Sequence, residues 1–342
     1  MSEEITNEYV LEKAKQNVEI DPIIEIQGKR VHLLQNAINT KTIPDPELSD
    51  AWIINHNARE EVWKFLFVVC ASDDMRVYLK PIFMLKEFEK NYEPIIEFMG
   101  AIFDGYIQME HFIEKTPLIN RVNTFITQYS GERDRLKYRS EKQFTFQKVF
   151  DFYYSRNRTI KPRMNAFSLA GYSYPRIEIH FPNYKRAFIL ARNLMQRAYD
   201  KNWLTREYVD TSYLCHHCSS AFLSFRETCP KCGYHDLKVR DIIHHFRCAT
   251  VASEEDFNYN GHLICPKCKT TLKNKGVDYD TPGKLFYCGN PRCNHKFQNP
   301  PISVKCISCG TEQEASELHV QKIYEYELTE SGILAGLSQR SE

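Results

Sequence analysis

The stretch CHHCSSAFLSFRETCPKC, residues 215–232, decides which fold the second half of this chain can adopt. It contains two C-x-x-C pairs separated by a segment long enough for a short hairpin. Such a pair on a tight turn can place two sulfurs on one ion, and two turns together close a tetrahedral zinc site. The pattern predicts a zinc ribbon, with His216 and His217 as exposed spectators. The predicted ligands are Cys215, Cys218, Cys229 and Cys232.

The other cysteines favour metal binding over disulfides. Of 12 cysteines only Cys70 lies outside the segment that runs from Cys215 to Cys309. The opening residues, MSEEITNEYV, are acidic and polar rather than a signal peptide, and no apolar run approaches the roughly 20 residues of a membrane span. We therefore expect a cytoplasmic protein with reduced thiols and without membrane insertion.

Seven cysteines remain after the first ribbon, and two further four-ligand sites need one more donor. His245-x-x-Cys248, in the stretch IIHHFRCAT, has the spacing of a zinc pair. Joining consecutive pairs gives three sites and three zinc ions, and it needs no threading between ribbons. The second site is His245, Cys248, Cys265 and Cys268. The third site is Cys288, Cys293, Cys306 and Cys309.

Two alternatives stay open at this point. Cys265 and Cys268 can instead join Cys288 and Cys293, which leaves His245 and Cys248 with the last pair. His244 also competes with its neighbour for the metal, although adjacent side chains in a strand point to opposite faces. The x-x spacing favours His245, and it leaves His244 as a residue that supports the site or packs in the core.

Composition and periodicity divide the chain into four parts. Residues 1–135 alternate strand-like runs, such as DAWIIN (50–55), with helical sequence, which predicts an α/β domain. Residues 136–210 are interpreted as helical or winged-helix-like, residues 211–330 as an array of zinc ribbons, and residues 331–342 as a disordered tail.

The motifs from residue 215 onward resemble the thaumarchaeal output domain family, a zinc-binding output module of signal-transduction proteins. The matching stretches are CHHCSSAFLSFRETCPKC, IIHHFRC, LICPKC, GVDYDTP, CISCG and IYEYELTESG. With GYSYP as the lead-in, the resemblance covers about residues 140–330. It implies a regulatory output role coupled to a sensory or receiver-like domain.

Residues 20–115 resemble, more weakly, the doubly wound fold of a receiver domain. A receiver presents a phosphoacceptor aspartate after its third strand. This chain has Asn55, His56 and Asn57 after AWII. We therefore expect a degenerate receiver-like domain that neither binds Mg²⁺ nor accepts phosphate.

The leading hypothesis is a non-enzymatic, zinc-stabilised regulatory protein that presents a rigid surface to a protein partner. Asp278, Tyr279 and Asp280 are a candidate functional surface, although carboxylates beside a Pro-Gly turn often accept backbone hydrogen bonds. A metal-dependent enzyme is the least favoured reading, because no catalytic signature is present. Partner, signal and oligomeric state stay open.

The alternative hypothesis is a zinc-ribbon transcriptional regulator that binds nucleic acid. The net charge of +1 offers no bulk attraction to nucleic acid, so this alternative depends on a local basic patch. The candidate contacts are Arg156, Arg158, Lys161, Arg163, Lys185, Arg192 and Arg197.

Overall fold

The computed structural model describes residues 21–92, 101–133, 141–181 and 184–337. The chain forms two compact units. The first comprises Met1–Ser212 and Gln321–Glu342, and the second comprises Tyr213–Val320. Within the described ranges, no helix is both long and apolar enough to cross a bilayer.

The first unit contains a mixed α/β region built on a five-stranded sheet. Its strands lie in sequence order, with one antiparallel pair followed by parallel pairs. The strands are β1 (Ile23–Ile26), β2 (Lys29–Leu34), β3 (Ala51–Ile54), β4 (Ile82–Leu85) and β5 (Tyr106–Ile107). The described strands therefore lack the reversal of order that marks a doubly wound receiver sheet, and the receiver-like fold is not confirmed.

Apolar residues cover both faces of this sheet, as expected for parallel strands. The helices of this region are α1 (Asn36–Thr40), α2 (Arg59–Ala71), α3 (Met75–Tyr78) and α4 (Thr116–Arg133), with 3₁₀ helices at Lys86–Tyr92 and Met109–Lys115. Trp52 and Ile54 of β3 pack with α2 on one face. Ala51 and Ile53 pack on the other face, against the cluster that contains Phe112 and Ile119. The predicted buried strand within DAWIIN is confirmed.

The segment after residue 140 continues the first unit with two long helices separated by short elements. These are α5 (Glu141–Arg156), β6 (Arg163–Met164), β7 (Tyr172–Ser173), α6 (Pro175–Glu178) and α7 (Tyr184–Asp200). Strand β8 (Leu204–Leu214) then pairs with the last described strand, His319–Leu328. Tyr326 of that strand exchanges backbone hydrogen bonds with Ile160. The helical interpretation holds in part, and the winged-helix-like arrangement stays a prediction.

The expected tail is partly ordered. A helix at Glu330–Leu337 follows the last strand and lies against α5. Position 332 requires glycine, because a Cβ there would lie 2.1 Å from the carbonyl oxygen of Trp203. Residues 331–337 are therefore helical rather than disordered, and residues 338–342 lie outside the described part.

The second unit is β-rich. Its strands are β9 (Leu223–Glu227), β10 (Leu237–His245), β11 (Thr250–Ser253), β12 (Asn258–Tyr259), β13 (His262–Leu263), β14 (Tyr279–Cys288), β15 (Lys296–Phe297), β16 (Ile302–Cys306) and β17 (Glu312–Glu314). The next strand, β18 (His319–Leu328), belongs mostly to the first unit. The short helix α8 (Glu254–Phe257) and a 3₁₀ turn at Ala315–Glu317 complete it, and the helix at Glu330–Leu337 is α9. Its main sheets have the orders β11-β10-β14-β15 and β17-β16-β9. The unit thus ends ten residues before the predicted boundary at 330.

A buried ion pair joins the α/β region to α5 within the first unit. Arg156 donates from Nε and Nη2 to the two carboxylate oxygens of Asp104 at 2.8 and 2.9 Å. Both side chains are 1% exposed. Burial opposes ionisation of Asp104, but the charges and hydrogen bonds of Arg156, with the charge of Arg158, hold its pKa below the usual value.

Replacing Arg156 by methionine should lower the free energy of unfolding of the first unit by about 3–5 kcal/mol, because a buried carboxylate loses its nearest counter-charge. Urea unfolding followed by tryptophan fluorescence measures this, since Trp52, Trp63 and Trp203 all lie in the first unit. Adding Asp104→Asn to the variant should recover part of the loss. A loss below about 1 kcal/mol in Arg156→Met would show that the pair is not needed.

Candidate metal centres

Three groups of four metal-ligating side chains lie in the second unit. The ligand atoms of each group lie within 4.8 Å of one another. Group 1 is Cys215, Cys218, Cys306 and Cys309; group 2 is Cys229, Cys232, Cys288 and Cys293; group 3 is His245, Cys248, Cys265 and Cys268. All twelve residues singled out from the sequence are brought together.

The predicted pairing is right for group 3 and wrong for the other two. Cys215 and Cys218 do not meet Cys229 and Cys232 in one ribbon, and the predicted site of Cys288, Cys293, Cys306 and Cys309 does not form. The alternative scheme is wrong as well. The half-sites are nested instead: the first joins the sixth, the second joins the fifth and the third joins the fourth. Nested pairing also needs no strand to pass through a closed loop. The avoidance of such threading, which favoured consecutive pairing, is therefore equally compatible with nested pairing.

Strand pairing explains the nesting. In the β9–β16 ladder Leu223 lies opposite Cys306, which brings the last half-site beside the first. In the β10–β14 ladder Leu237 lies opposite Cys288, which brings together the half-sites of group 2. The β10–β11 hairpin places His245 opposite Thr250 and forms the turn that carries Cys248. Each group therefore lies at an end of an antiparallel strand pair.

All six half-sites end in the same backbone conformation, although Cys288 and Cys293 are separated by four residues rather than two. In the turn at Cys215, the Cys215 N–H donates to the Ser220 carbonyl at 2.8 Å and the Ser219 N–H donates to the Cys215 carbonyl at 2.9 Å. The residue that follows the second cysteine has a left-handed φ in every case. These residues are Ser219, Gly233, Ala249, Lys269, Asn294 and Gly310. The IIHHFRCAT stretch thus folds as a half-site like the others, with histidine in place of the first cysteine.

The distances between sulfurs suit a tetrahedral ion. Metal–sulfur bonds of about 2.3 Å separate two sulfurs by roughly 3.8 Å, whereas a disulfide bond is about 2.05 Å long. The Sγ atoms of Cys215 and Cys309 are 3.8 Å apart, and those of Cys218 and Cys306 are 3.5 Å apart. In group 2 the corresponding distances are 3.8 and 3.5 Å. The three groups could therefore hold metal ions, and their donors are compatible with zinc.

Local hydrogen bonds and burial shift the pKa values of the cysteine thiols in different directions. The Thr311 hydroxyl lies 3.2 Å from the Cys309 sulfur, and this bond together with the Thr311 backbone lowers the pKa of Cys309 to about 5. Burial raises the pKa of Cys218 to about 12. Four closely spaced sulfurs cannot all ionise without a cation, and a bound divalent ion removes that conflict.

His245 is the imidazole of group 3. Its side chain is buried, and its Nδ1 lies 3.1 Å from the Cys248 sulfur and 3.6 Å from the Cys268 sulfur. His244 lies on the opposite face of β10 and is half-buried, with Nδ1 3.4 Å from the Asp280 carboxylate. The x-x spacing therefore identified the histidine that joins the group, and His244 contacts Asp280 instead.

The candidate surface of Asp278, Tyr279 and Asp280 has a structural role at two positions. Asp278 accepts the N–H groups of Lys273 and Asn274 at 2.9 Å each, and these bonds lower its pKa. Tyr279 packs against the core cluster around Cys265.

The Pro-Gly turn expected beside this surface is not present. Residues 281–283 lie inside β14, where the register with β10 shifts by one extra residue. Such a bulge tolerates Pro282, because the unpaired position needs no N–H donor.

The proposed nucleic-acid contacts do not form one available patch. Arg156 is buried against Asp104 and cannot reach a ligand in solvent. Arg192 donates to Gln321, and Arg197 is exposed on α7. The side chain of Lys185 lies outside the described part. Arg158, Lys161 and Arg163 remain together, beside a cavity of the first unit.

Fold and site together define a protein with a mixed α/β region followed by a β-rich, cysteine-rich region that could hold metal ions. A family model for thaumarchaeal output domain 1 matches residues 137–328. That match spans more than half of the chain, so the chain belongs to this family, as its motifs indicated. Neither the curated proteins nor the solved structures contain a match.

Double substitutions should reveal the pairing through metal content. Cys218→Ser with Cys306→Ser removes two ligands of one group, so we expect the purified chain to lose one metal equivalent. Cys218→Ser with Cys232→Ser damages two groups and should cost two equivalents. Elemental analysis of the refolded variants measures both. The reverse result would support consecutive pairing, and Cys70→Ser, outside the groups, is the matched control.

A second prediction concerns the shared turn. Gly310 has φ +78°, and a Cβ added there meets no atom within 4 Å. Gly310→Ala should therefore cost about 1–2 kcal/mol through backbone conformation alone, because alanine disfavours left-handed φ. Conversely, Ala249→Gly should be neutral or stabilising, since Ala249 has φ +52°. Thermal unfolding of the metal-loaded chain tests both, and equal effects of the same sign would contradict the argument.

Proposed function

We propose that this protein is a non-enzymatic, zinc-stabilised regulatory output protein whose second unit presents an interaction surface to a protein partner. The observation that carries the proposal is the set of three four-ligand groups. Four protein ligands are typical of structural zinc, whereas a catalytic zinc keeps a position for water or substrate. Membership of an output domain family supports the regulatory role.

In this proposal, zinc replaces the extended apolar core that the second unit lacks. Its hydrophobic cluster is small, with Ile243, Phe257, Cys265 and Leu272 buried and four partly buried residues packed against them. The donor set fits Zn²⁺, since thiolate and imidazole are its preferred structural ligands. Each bound ion would neutralise thiolates and link two half-sites, so metal binding and folding of this unit would be coupled.

The β9–β16 sheet offers a surface for a partner. Phe225 lies opposite Val304, and Ile302 is its diagonal neighbour on the same face. Phe225 is 54% exposed and Ile302 42% exposed. Strand β9 is also the outer strand of its sheet among the described residues. An exposed apolar pair formed by an edge strand and its neighbour is a favourable place for a protein partner to bind.

The N-terminal region would then supply regulation without receiver chemistry. At the carboxyl end of β3, Asn55 is buried and His56 bonds Asn39. The nearby carboxylate of Asp21 accepts the N–H groups of Gln35, Asn36 and Ala37, so it caps a helix. These contacts support our proposal that this α/β region does not accept phosphate as a receiver domain does.

Affinity capture from cells of the source organism tests the proposal. The wild-type chain should retain a protein partner, and Phe225→Ala with Ile302→Ala should lose it, because the apolar contact is removed. Val277→Ala, at an apolar position that is 71% exposed in the same unit, is the control and should retain it. Recovery of nucleic acid instead of protein, or equal capture by all three chains, would contradict the proposal.

A further inference from the structure

A cavity in the first unit has the size and charge of a ligand site. Its volume is about 510 Å³, within the range of small-molecule pockets. Ala101, Asp104 and Gly105, which precede β5, line one side, and residues at and after the end of α5 line the other. The cavity therefore lies at the amino ends of β4 and β5. A receiver uses the opposite edge of its sheet.

The charged side chains that line the cavity are mainly basic. Among the described lining residues, the basic ones are Arg158, Lys161 and Arg163, and the acidic one is Asp104. Asp104 is already neutralised by Arg156, which forms two hydrogen bonds with it, and it also accepts the Ile82 N–H at 3.1 Å. The carboxylate therefore does not cancel the positive charge of the lining residues.

Among the described residues, a second acidic group acts against an anion. Glu325 lies 3.3 Å from the Lys161 ammonium and accepts the Thr159 hydroxyl. The Lys161 ammonium therefore interacts with Glu325 and also lines the cavity. Arg158 lies 3.4 Å from Asp104, a longer contact than that of Arg156. Burial lowers the pKa of Arg158, since its charge loses hydration there, so an added anion would stabilise it.

Two of the carbonyl groups at the end of α5 are already occupied by backbone hydrogen bonds. The N–H groups of Asn157 and Arg158 donate to the carbonyls of Tyr154 and Tyr153 at 3.0 Å each. Asn157 has a left-handed φ of 51°, which turns the chain after the helix. This turn carries Arg158, Thr159 and Lys161 along the cavity. Basic side chains and a hydroxyl group thus line it, with the aromatic side chain of Tyr153 beside them.

We propose that this cavity binds a small phosphorylated organic molecule, with its phosphate held by Arg158, Lys161 and Arg163. Guanidinium and ammonium groups recognise phosphate through charge-assisted hydrogen bonds. The aromatic wall would contact the organic part of the molecule. A cavity of this volume suits such a ligand better than a nucleic-acid strand, which needs an extended basic groove.

Because of its position, the cavity couples ligand binding to the packing of the first unit. One wall belongs to the N-terminal α/β region, and the other lies within residues 137–328, the part that matches the output family. A ligand that contacts both walls stabilises their packing, because it binds the folded arrangement and not the separated parts. The site is separate from the metal groups, so it does not depend on the proposed zinc-binding role.

Isothermal titration of the full chain tests the proposal with AMP, glucose 6-phosphate and inorganic phosphate. Adenosine and glucose are the uncharged controls, and a short single-stranded oligonucleotide tests for nucleic acid. We expect AMP or glucose 6-phosphate to bind at least about tenfold more tightly than its uncharged counterpart, equivalent to about 1.4 kcal/mol. The AMP and sugar-phosphate arms distinguish a nucleotide from another phosphate ester.

Variants locate the site. Lys161→Gln and Arg163→Gln should each weaken binding of the phosphorylated probe about tenfold or more, and Arg121→Gln, an exposed arginine on α4, should leave it unchanged. Lys161 is exposed, so its replacement should preserve the fold, which thermal unfolding checks. The proposal is overturned if no phosphorylated probe binds at about 10 mM, if Arg121→Gln has the same effect, or if only the oligonucleotide binds.

Discussion

A C-x-x-C turn supplies two of the four ligands of a tetrahedral ion, so no half-site in this chain can complete a metal centre alone. The second unit satisfies this requirement through antiparallel strand pairs. Each ladder carries one half-site to another that is distant in sequence, and the shared turn aims both pairs of ligand atoms inward. The arrangement of strands β9 to β17 follows from this need to join half-sites.

Much of the site could be predicted, because ligand spacing is a local property. The x-x spacing selected His245 over His244, and it marked five of the six half-sites that the structure assembles. The exception is Cys288 and Cys293, which are separated by four residues. Which half-sites join depends on strand register over as many as 94 residues, and local spacing does not encode that. A threonine two positions after Cys248, Cys268 and Cys309 was also visible in the sequence, and its hydroxyl contacts the sulfur in each case.

The N-terminal part shows the same division between local and distant effects. The apolar run AWII predicted a buried strand, since strands covered on both faces are apolar throughout. The strand order was not predictable from periodicity, because a single strand pattern does not specify its neighbours. Arg156 is the clearest error: its charge suggested a solvent-exposed contact, whereas its partner Asp104 lies 52 residues earlier and holds it in the interior.

Nesting also orders the three centres by the length of chain that each must close. Contacts of group 3 span 17 to 23 residues, those of group 2 span 56 to 64, and those of group 1 span 88 to 94. Closing a longer loop costs more chain entropy, and an already closed inner loop shortens the free chain that the outer one must immobilise. Assembly from the inside outward is therefore the least costly route, and the outermost group closes at a lower entropic cost once the two groups inside it have formed.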